Sequence, residues 1–176
     1  MPAAQGVQVG ERHGVFMEKI DKILNHDLFL RHLELNNKAE ADRCFCRHNM
    51  EHLLNVARIA WIINLEEDLG MEKELVYATA LLHDIGRHLQ YETGIPHEMA
   101  SGEIAPGILK DCGFSEGERT TIVEAVLNHR NGKIAENKDL SGLLYRADKA
   151  SRACFACRAQ ENCNWSKDKK NLQIIY

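Results

Sequence analysis

The sequence is short of the residues that build sheets and break chains. Aromatic side chains make up 6% of its 176 residues, and proline occurs three times. Sandwiches and barrels draw on aromatic residues and frequent turn breakers, so their scarcity favours long helices. No apolar run reaches the roughly 18 residues that a membrane-spanning helix needs, and Met1 to Gly10 contains no charged stretch leading into an apolar block. A cytoplasmic protein with no membrane partner is therefore expected. In that compartment the six cysteines stay reduced, and they read as core residues or metal ligands rather than a disulfide framework. The net charge of -4 lacks the basic excess of a binder of duplex nucleic acid. A small anionic substrate remains compatible with it, because a metal and a few local cations outweigh a weak global charge. Two further absences matter: there is no glycine-rich phosphate loop with a trailing lysine, and no Gly-x-Ser-x-Gly nucleophile elbow.

What is present is 44% hydrophobic residues in a length that suits one domain. Residues 1–14 read as a flexible leader and 15–176 as a single domain, with 151–176 a cysteine-containing tail packed on it. A homo-oligomer is compatible with this composition. Apolar spacing predicts a helix over Val15 to Leu24 and a second over Leu28 to Leu35, weakening at Asn36 and Asn37. A long amphipathic helix is expected from Asn49 to Leu69, closed by Gly70, and another from Glu72 to a break at Gly86. Gly94-Ile95-Pro96 reads as a loop, followed by a helix from His97 to Lys110. Ser115 and Glu118 form a capping box that opens a helix ending at His129, and after a polar loop Leu140 to Ala150 is the last core helix.

His48 and His52 are four residues apart and share one face of a helix. His83 and Asp84 are adjacent at a helix end, where both can turn toward one ion, and Asp148 can add a second carboxylate. Imidazole with carboxylate suits iron, manganese, zinc, nickel or cobalt better than calcium. Singly, each histidine reads more naturally as a surface or hydrogen-bonded core residue. Their order and context say more. The stretches His52-Leu-Leu-Asn-Val-Ala-Arg, Ala80-Leu-Leu-His83-Asp84-Ile-Gly86-Arg87 and Ala147-Asp148-Lys149 resemble the HD superfamily of metal-dependent phosphohydrolases, over roughly Cys46 to Ser151.

The resemblance implies an all-α helical bundle with the metal site at its centre, held by His52, His83, Asp84 and Asp148. His97 and His129 match the extra positions of members that hold two metals, with Asp84 as the bridge. The alternative for this pair is contact with a substrate phosphate or capping of helix ends. His48 lies one turn from the family's first histidine, where it either hydrogen-bonds substrate or water, or is a partly exposed histidine at a helix start.

One or two divalent ions at such a site lower the pKa of bound water and neutralise charge on a phosphoryl oxygen. The expected activity is hydrolysis of a nucleotide or other small phosphoester, as a phosphomonoesterase or phosphodiesterase, with Asp84, His48 and Arg87 as catalytic residues. Cations near the ligands in sequence, Arg87, His88, Arg130 and Lys149, are candidates for holding substrate, and Arg87 offers a planar fork for phosphate. Surface pairing is the simpler reading for Arg130 and Arg152. Two alternatives carry the same ligands: a di-iron oxygenase of HD type, and a sensor module that binds metal or nucleotide without turnover.

Cys154, Cys157 and Cys163 form Cys-x2-Cys-x5-Cys, which needs a fourth ligand. Cys46 lies six residues before His52, and Cys154 lies six residues after Asp148. If the two helices run antiparallel, both steps travel the same way by about 9 Å. A structural zinc or iron-sulfur cluster at Cys46, Cys154, Cys157 and Cys163 is the expectation. Its alternative is a set of reduced, partly buried thiols.

Overall fold

The computed structural model of the protein describes residues 16–176, so the expected leader lies outside the described residues. Those residues form eight α-helices and no strand: α1 (Glu18–Leu24), α2 (Asp27–Ala39), α3 (Met50–Glu66), α4 (Lys73–Leu82), α5 (Arg87–Thr93), α6 (His97–Asp111), α7 (Glu116–Asn128) and α8 (Leu140–Ala150). Among these residues no helix is long and apolar enough to cross a membrane.

The centre of the bundle is α3, packed against α4 on one side and α8 on the other, while α7 touches both α4 and α8. Apolar residues recur every three or four positions along α3, and Leu53, Val56, Ala57, Ala60 and Ile63 are all buried. They meet Val76, Ala80 and Leu81 of α4, and Leu143, Leu144 and Ala147 of α8, in one continuous core. Each large aliphatic side chain so buried contributes roughly 1.5–3 kcal/mol.

Helix starts are marked by side chains that satisfy the free amides of the first turn. Asn49 accepts the His52 N–H, Asp139 accepts the Gly142 N–H, and Ser115 with Glu118 forms the reciprocal capping box expected from the sequence.

Three details depart from expectation. Helix α2 does not weaken at Asn36 but runs on to Ala39, because Asn36 is buried and its amide bonds two backbone groups across the bundle rather than its own helix. Helix α3 stops at Glu66, before Gly70, and the chain reverses through Asp68 and Gly70, both with left-handed backbone. Between Gly86 and Gly94 the chain forms α5, a seven-residue helix whose end Gly94 caps with a φ of 79°.

Candidate metal centre

Five helices deliver their chemistry at their ends. His52 is in the first turn of α3, His83 caps the end of α4 with Asp84 following it, His97 opens α6, His129 caps the end of α7, and Asp148 lies in the last turn of α8. The His83–Asp84 turn is pinned from two sides. Asn36 of α2 donates to the Asp84 carbonyl at 2.9 Å and accepts the His88 N–H at 2.7 Å, while Ser101 of α6 accepts the Gly86 N–H at 3.0 Å. Only glycine allows that approach: a Cβ on Gly86 would sit 2.6 Å from the Ser101 nitrogen and 2.7 Å from the Ala100 carbonyl carbon.

Asp84 stands between two groups of imidazoles. Its Oδ2 is 3.6 Å from His52 Nε2 and 3.2 Å from His83 Nε2, and these two nitrogens lie 3.5 and 3.8 Å from Asp148 Oδ1. Its Oδ1 is 3.1 Å from His97 Nε2 and 3.6 Å from His129 Nε2. Ligand-type atoms of His52, His83, Asp84 and Asp148 all fall within 4.8 Å of one another, as do those of Asp84, His97 and His129. All six side chains are buried.

The rings are held so that lone pairs face this space. His83 Nδ1 lies 2.7 Å from the Ala80 carbonyl, and His129 Nδ1 lies 2.6 Å from the Val126 carbonyl. A carbonyl can only accept, so in each neutral ring Nδ1 carries the proton and Nε2 is bare. Ser151 Oγ sits 3.4 Å from His52 Nδ1, and Gln90 Oε1 sits 2.6 Å from His97 Nδ1. Such outer partners fix the tautomer and aim of metal-binding histidines.

Bare nitrogens against carboxylates repel unless a cation lies between them. His52 Nε2, His83 Nε2 and Asp84 Oδ1 are buried without a hydrogen-bond partner. Burial alone would push the His83 imidazole down, yet the Asp84 and Asp148 carboxylates override it and hold its pKa up at about 10. For His52 burial wins over Asp84, and its pKa falls to about 4. Both carboxyls stay well below their usual range, because their imidazole and cationic neighbours outweigh burial. A divalent ion in that space would supply the compensation that the carboxylates otherwise draw from the His83 imidazole. A set of imidazole nitrogens and carboxylate oxygens with orphaned buried atoms fits a transition metal.

The expected site residues divide. His48 is buried, its Nε2 is 3.7 Å from Asp84 Oδ2, and its Nδ1 is 2.6 Å from Glu40 Oε1, so it is not the partly exposed histidine of the simpler reading. Arg87 reaches the centre, with Nη1 2.6 and 3.1 Å from the two ring nitrogens of His97, across the ring rather than end-on. Lys149 bonds Asp148 Oδ2 at 2.7 Å, and Arg130 lies at the rim paired with Glu98 at 3.3 Å. His88 faces away: one step along α5 from Arg87 it points under the helix, where its Nε2 meets His32 Nδ1 at 2.9 Å. Arg152 is no surface residue; its guanidinium is buried and donates to Asp148 Oδ1 at 2.9 Å. The four-cysteine site is not closed. Cys46, Cys154 and Cys163 share one cavity wall and Cys46, Cys154 and Cys157 another, but among the described residues no three thiols come within 4.8 Å of one another.

Sequence reasoning missed Glu40, whose buried carboxylate accepts from His48 Nδ1 and from its backbone N–H, both at 2.6 Å, and from the Tyr91 hydroxyl at 2.7 Å. Burial opposes its ionisation, but the His48 contacts prevail and its pKa falls to about 2. Arg43 and Trp165 were also missed, and they line the cavity of about 450 Å³ that opens onto Asp84, His97, His129 and Asp148.

The HD domain family matches residues 49–159, from the cap of α3 to beyond α8. The chain is 48% identical over 160 residues to an uncharacterized protein of Clostridium beijerinckii, covering 91% of this chain and 100% of that protein. It is 27% identical to Ribonuclease Y of Enterococcus faecalis, covering 72% of this chain but only 22% of that enzyme. The crystal structure of a predicted HD superfamily hydrolase from an uncultured Thermotogales bacterium superimposes with a TM-score of 0.58 at 25% identity, over 80% of each chain. The buried ligands and the family match agree, and the chain belongs to the HD domain family of metal-dependent hydrolases.

Proposed function

We propose that the protein hydrolyses a nucleotide or another small phosphoester at a two-metal centre. One observation carries the reading: the two oxygens of Asp84 face separate imidazole pairs in a cavity whose other charged walls, apart from Asp148, are all cationic. Those cations are Arg43, Arg87, Arg130, Lys149 and Arg152. They suit an anionic substrate despite the net charge of -4.

His52, His83, Asp84 and Asp148 would hold one ion, and Asp84, His97 and His129 a second. Divalent ions so held lower the pKa of water and stabilise charge on phosphoryl oxygens. The chain supplies the rest. Arg87 presents a planar fork toward substrate oxygens from beside His97. Ionised Glu40 accepts a hydrogen bond from His48 Nδ1–H, so in the neutral imidazole Nε2 is left free toward the cavity, where it can accept a proton from water or a hydroxyl.

The test is a panel of nucleotides and simple phosphoesters, incubated anaerobically with manganese, iron, cobalt or nickel, with Asp84→Ala as control. Phosphate or alcohol release that needs Asp84 supports the proposal. Oxygen uptake by the iron form with every ester left intact would make the protein an oxygenase, and tight nucleotide binding without turnover would make it a sensor; either result overturns hydrolysis.

A further inference from the structure

Five of the six cysteines lie in the two stretches without α-helix that flank the metal centre: Cys44 and Cys46 between α2 and α3, and Cys154, Cys157 and Cys163 after α8. The sixth, Cys112, is buried in the core at the end of α6. The two stretches meet because His52 and Asp148 meet. Six residues back from one ligand and six onward from the other, Cys46 and Cys154 stand in the wall between two cavities. One is the catalytic cavity, which Cys163 also lines; the other, of about 330 Å³, is lined by Cys44, Cys46, Cys154 and Cys157.

The segment after α8 has little else to order it. Within residues 151–176 only Cys154 and the guanidinium of Arg152, which donates to Asp148, are buried. The remaining ties are polar: Asn171 Nδ2 donates to the carbonyls of Lys149, Ala150 and Arg152, Phe155 N–H donates to the Asn171 carbonyl, and Lys170 Nζ donates to those of Gln160 and Cys163. Fixing such a length of backbone has an entropic cost that one buried thiol and one buried ion pair at its start do not offset. Short segments without a core are held by disulfides or by metal, and all six thiols are free.

We propose that Cys46, Cys154, Cys157 and Cys163 bind a zinc ion, distinct from the His/Asp centre, that fastens the C-terminal segment to the bundle. The Cys154-x2-Cys157 pair is bent by a 3-10 turn over Cys154–Ala156, a spacing by which two thiolates grip one ion. The four sulfurs are wider apart than ligation requires, and neither stretch is an α-helix whose continuous hydrogen-bond ladder would resist closing on the ion. Each thiol loses its proton to solvent as it ligates. Four thiolates around zinc leave two negative charges, and Arg47 and Arg152 in the same wall complement them. The ion also builds the catalytic cavity, since Cys163 brings Asn164 and Trp165 into its lining.

The experiment uses the full chain, purified without oxygen. Metal analysis should find one more zinc per chain in the wild type than in Cys157→Ser or Cys163→Ser, with Cys112→Ala unchanged. Cobalt-loaded wild type should show an intense thiolate-to-cobalt charge-transfer band, which nitrogen and oxygen ligands do not give, and Asp84→Ala should keep it. That control separates this site from the catalytic reading, and the wild-type spectrum needs no cysteine variant to fold. A cobalt form without the band, equal zinc in wild type and variants, a disulfide among these cysteines, or iron with acid-labile sulfide in place of zinc would each overturn the proposal.

Discussion

Glu40 and His48 are joined twice, once through the imidazole Nδ1 and once through the backbone N–H, each at 2.6 Å from a different carboxylate oxygen. This contact spans the non-helical stretch between α2 and α3 and aims His48 Nε2 at Asp84. Glu40→Gln keeps the shape but removes the charge. Turnover of any substrate found should fall about 10–100-fold, as for other outer partners of a metal site, with metal content preserved. An unchanged rate would reduce Glu40 to a packing role.

The same carboxylate makes stability depend on pH. Its folded pKa of about 2 lies below the unfolded value of about 4.3, so its contribution is complete above pH 4.3 and is lost as pH falls toward 2. The amount is on the order of 3 kcal/mol. Urea midpoints measured from pH 7 to pH 3 should drop more steeply for the wild type than for Glu40→Gln.

Glu118 acts the same way at the surface. Hydrogen bonding to Lys19 of α1, together with the capping box at Ser115, draws its pKa to about 2. Glu118→Gln should cost about 1 kcal/mol near neutral pH after solvent screening, and less as pH falls from 4.3 toward 2. Thermal melts at pH 7 and pH 3 would read the difference.

Because Asp84 faces both imidazole groups, Asp84→Ala should leave neither ion bound, whereas His129→Ala should keep the one held with His52, His83 and Asp148. Metal stoichiometry after dialysis distinguishes the two variants. Equal loss in both would mean that the centre holds a single ion.

Gly86→Ala forces a methyl into the backbone of α6, where nothing flexible can give way. A loss of about 1–3 kcal/mol, or roughly 3–10 °C in melting temperature, is expected. Differential scanning calorimetry would measure it.

Much of this arrangement is legible in the chain. Apolar periodicity marks α3 and α8, and the Ser115 and Glu118 pair marks the start of α7. Resemblance in three short stretches identifies the residues that do converge. What escapes a reading of the sequence is what depends on contact across the bundle. Arg87 to Thr93, bracketed by two glycines, lacks the length for a periodic signal. Asn36 looks like a helix breaker, though burial lets its amide serve two backbone groups beyond its own helix. Glu40 sits in no motif, and nothing local reveals that it meets His48. Arg152 looks solvated because its partner, Asp148, is already assigned to the metal.

The four-residue ligand set takes Asp148 from α8, the last helix of the bundle, while its histidines come from α3 and the end of α4. A growing polypeptide therefore cannot assemble that set until α8 has been synthesised and docked onto the helices before it. Ion capture at this seat would report a bundle closed by α8, and truncation ahead of Asp148 would abolish it even where the earlier helices persist.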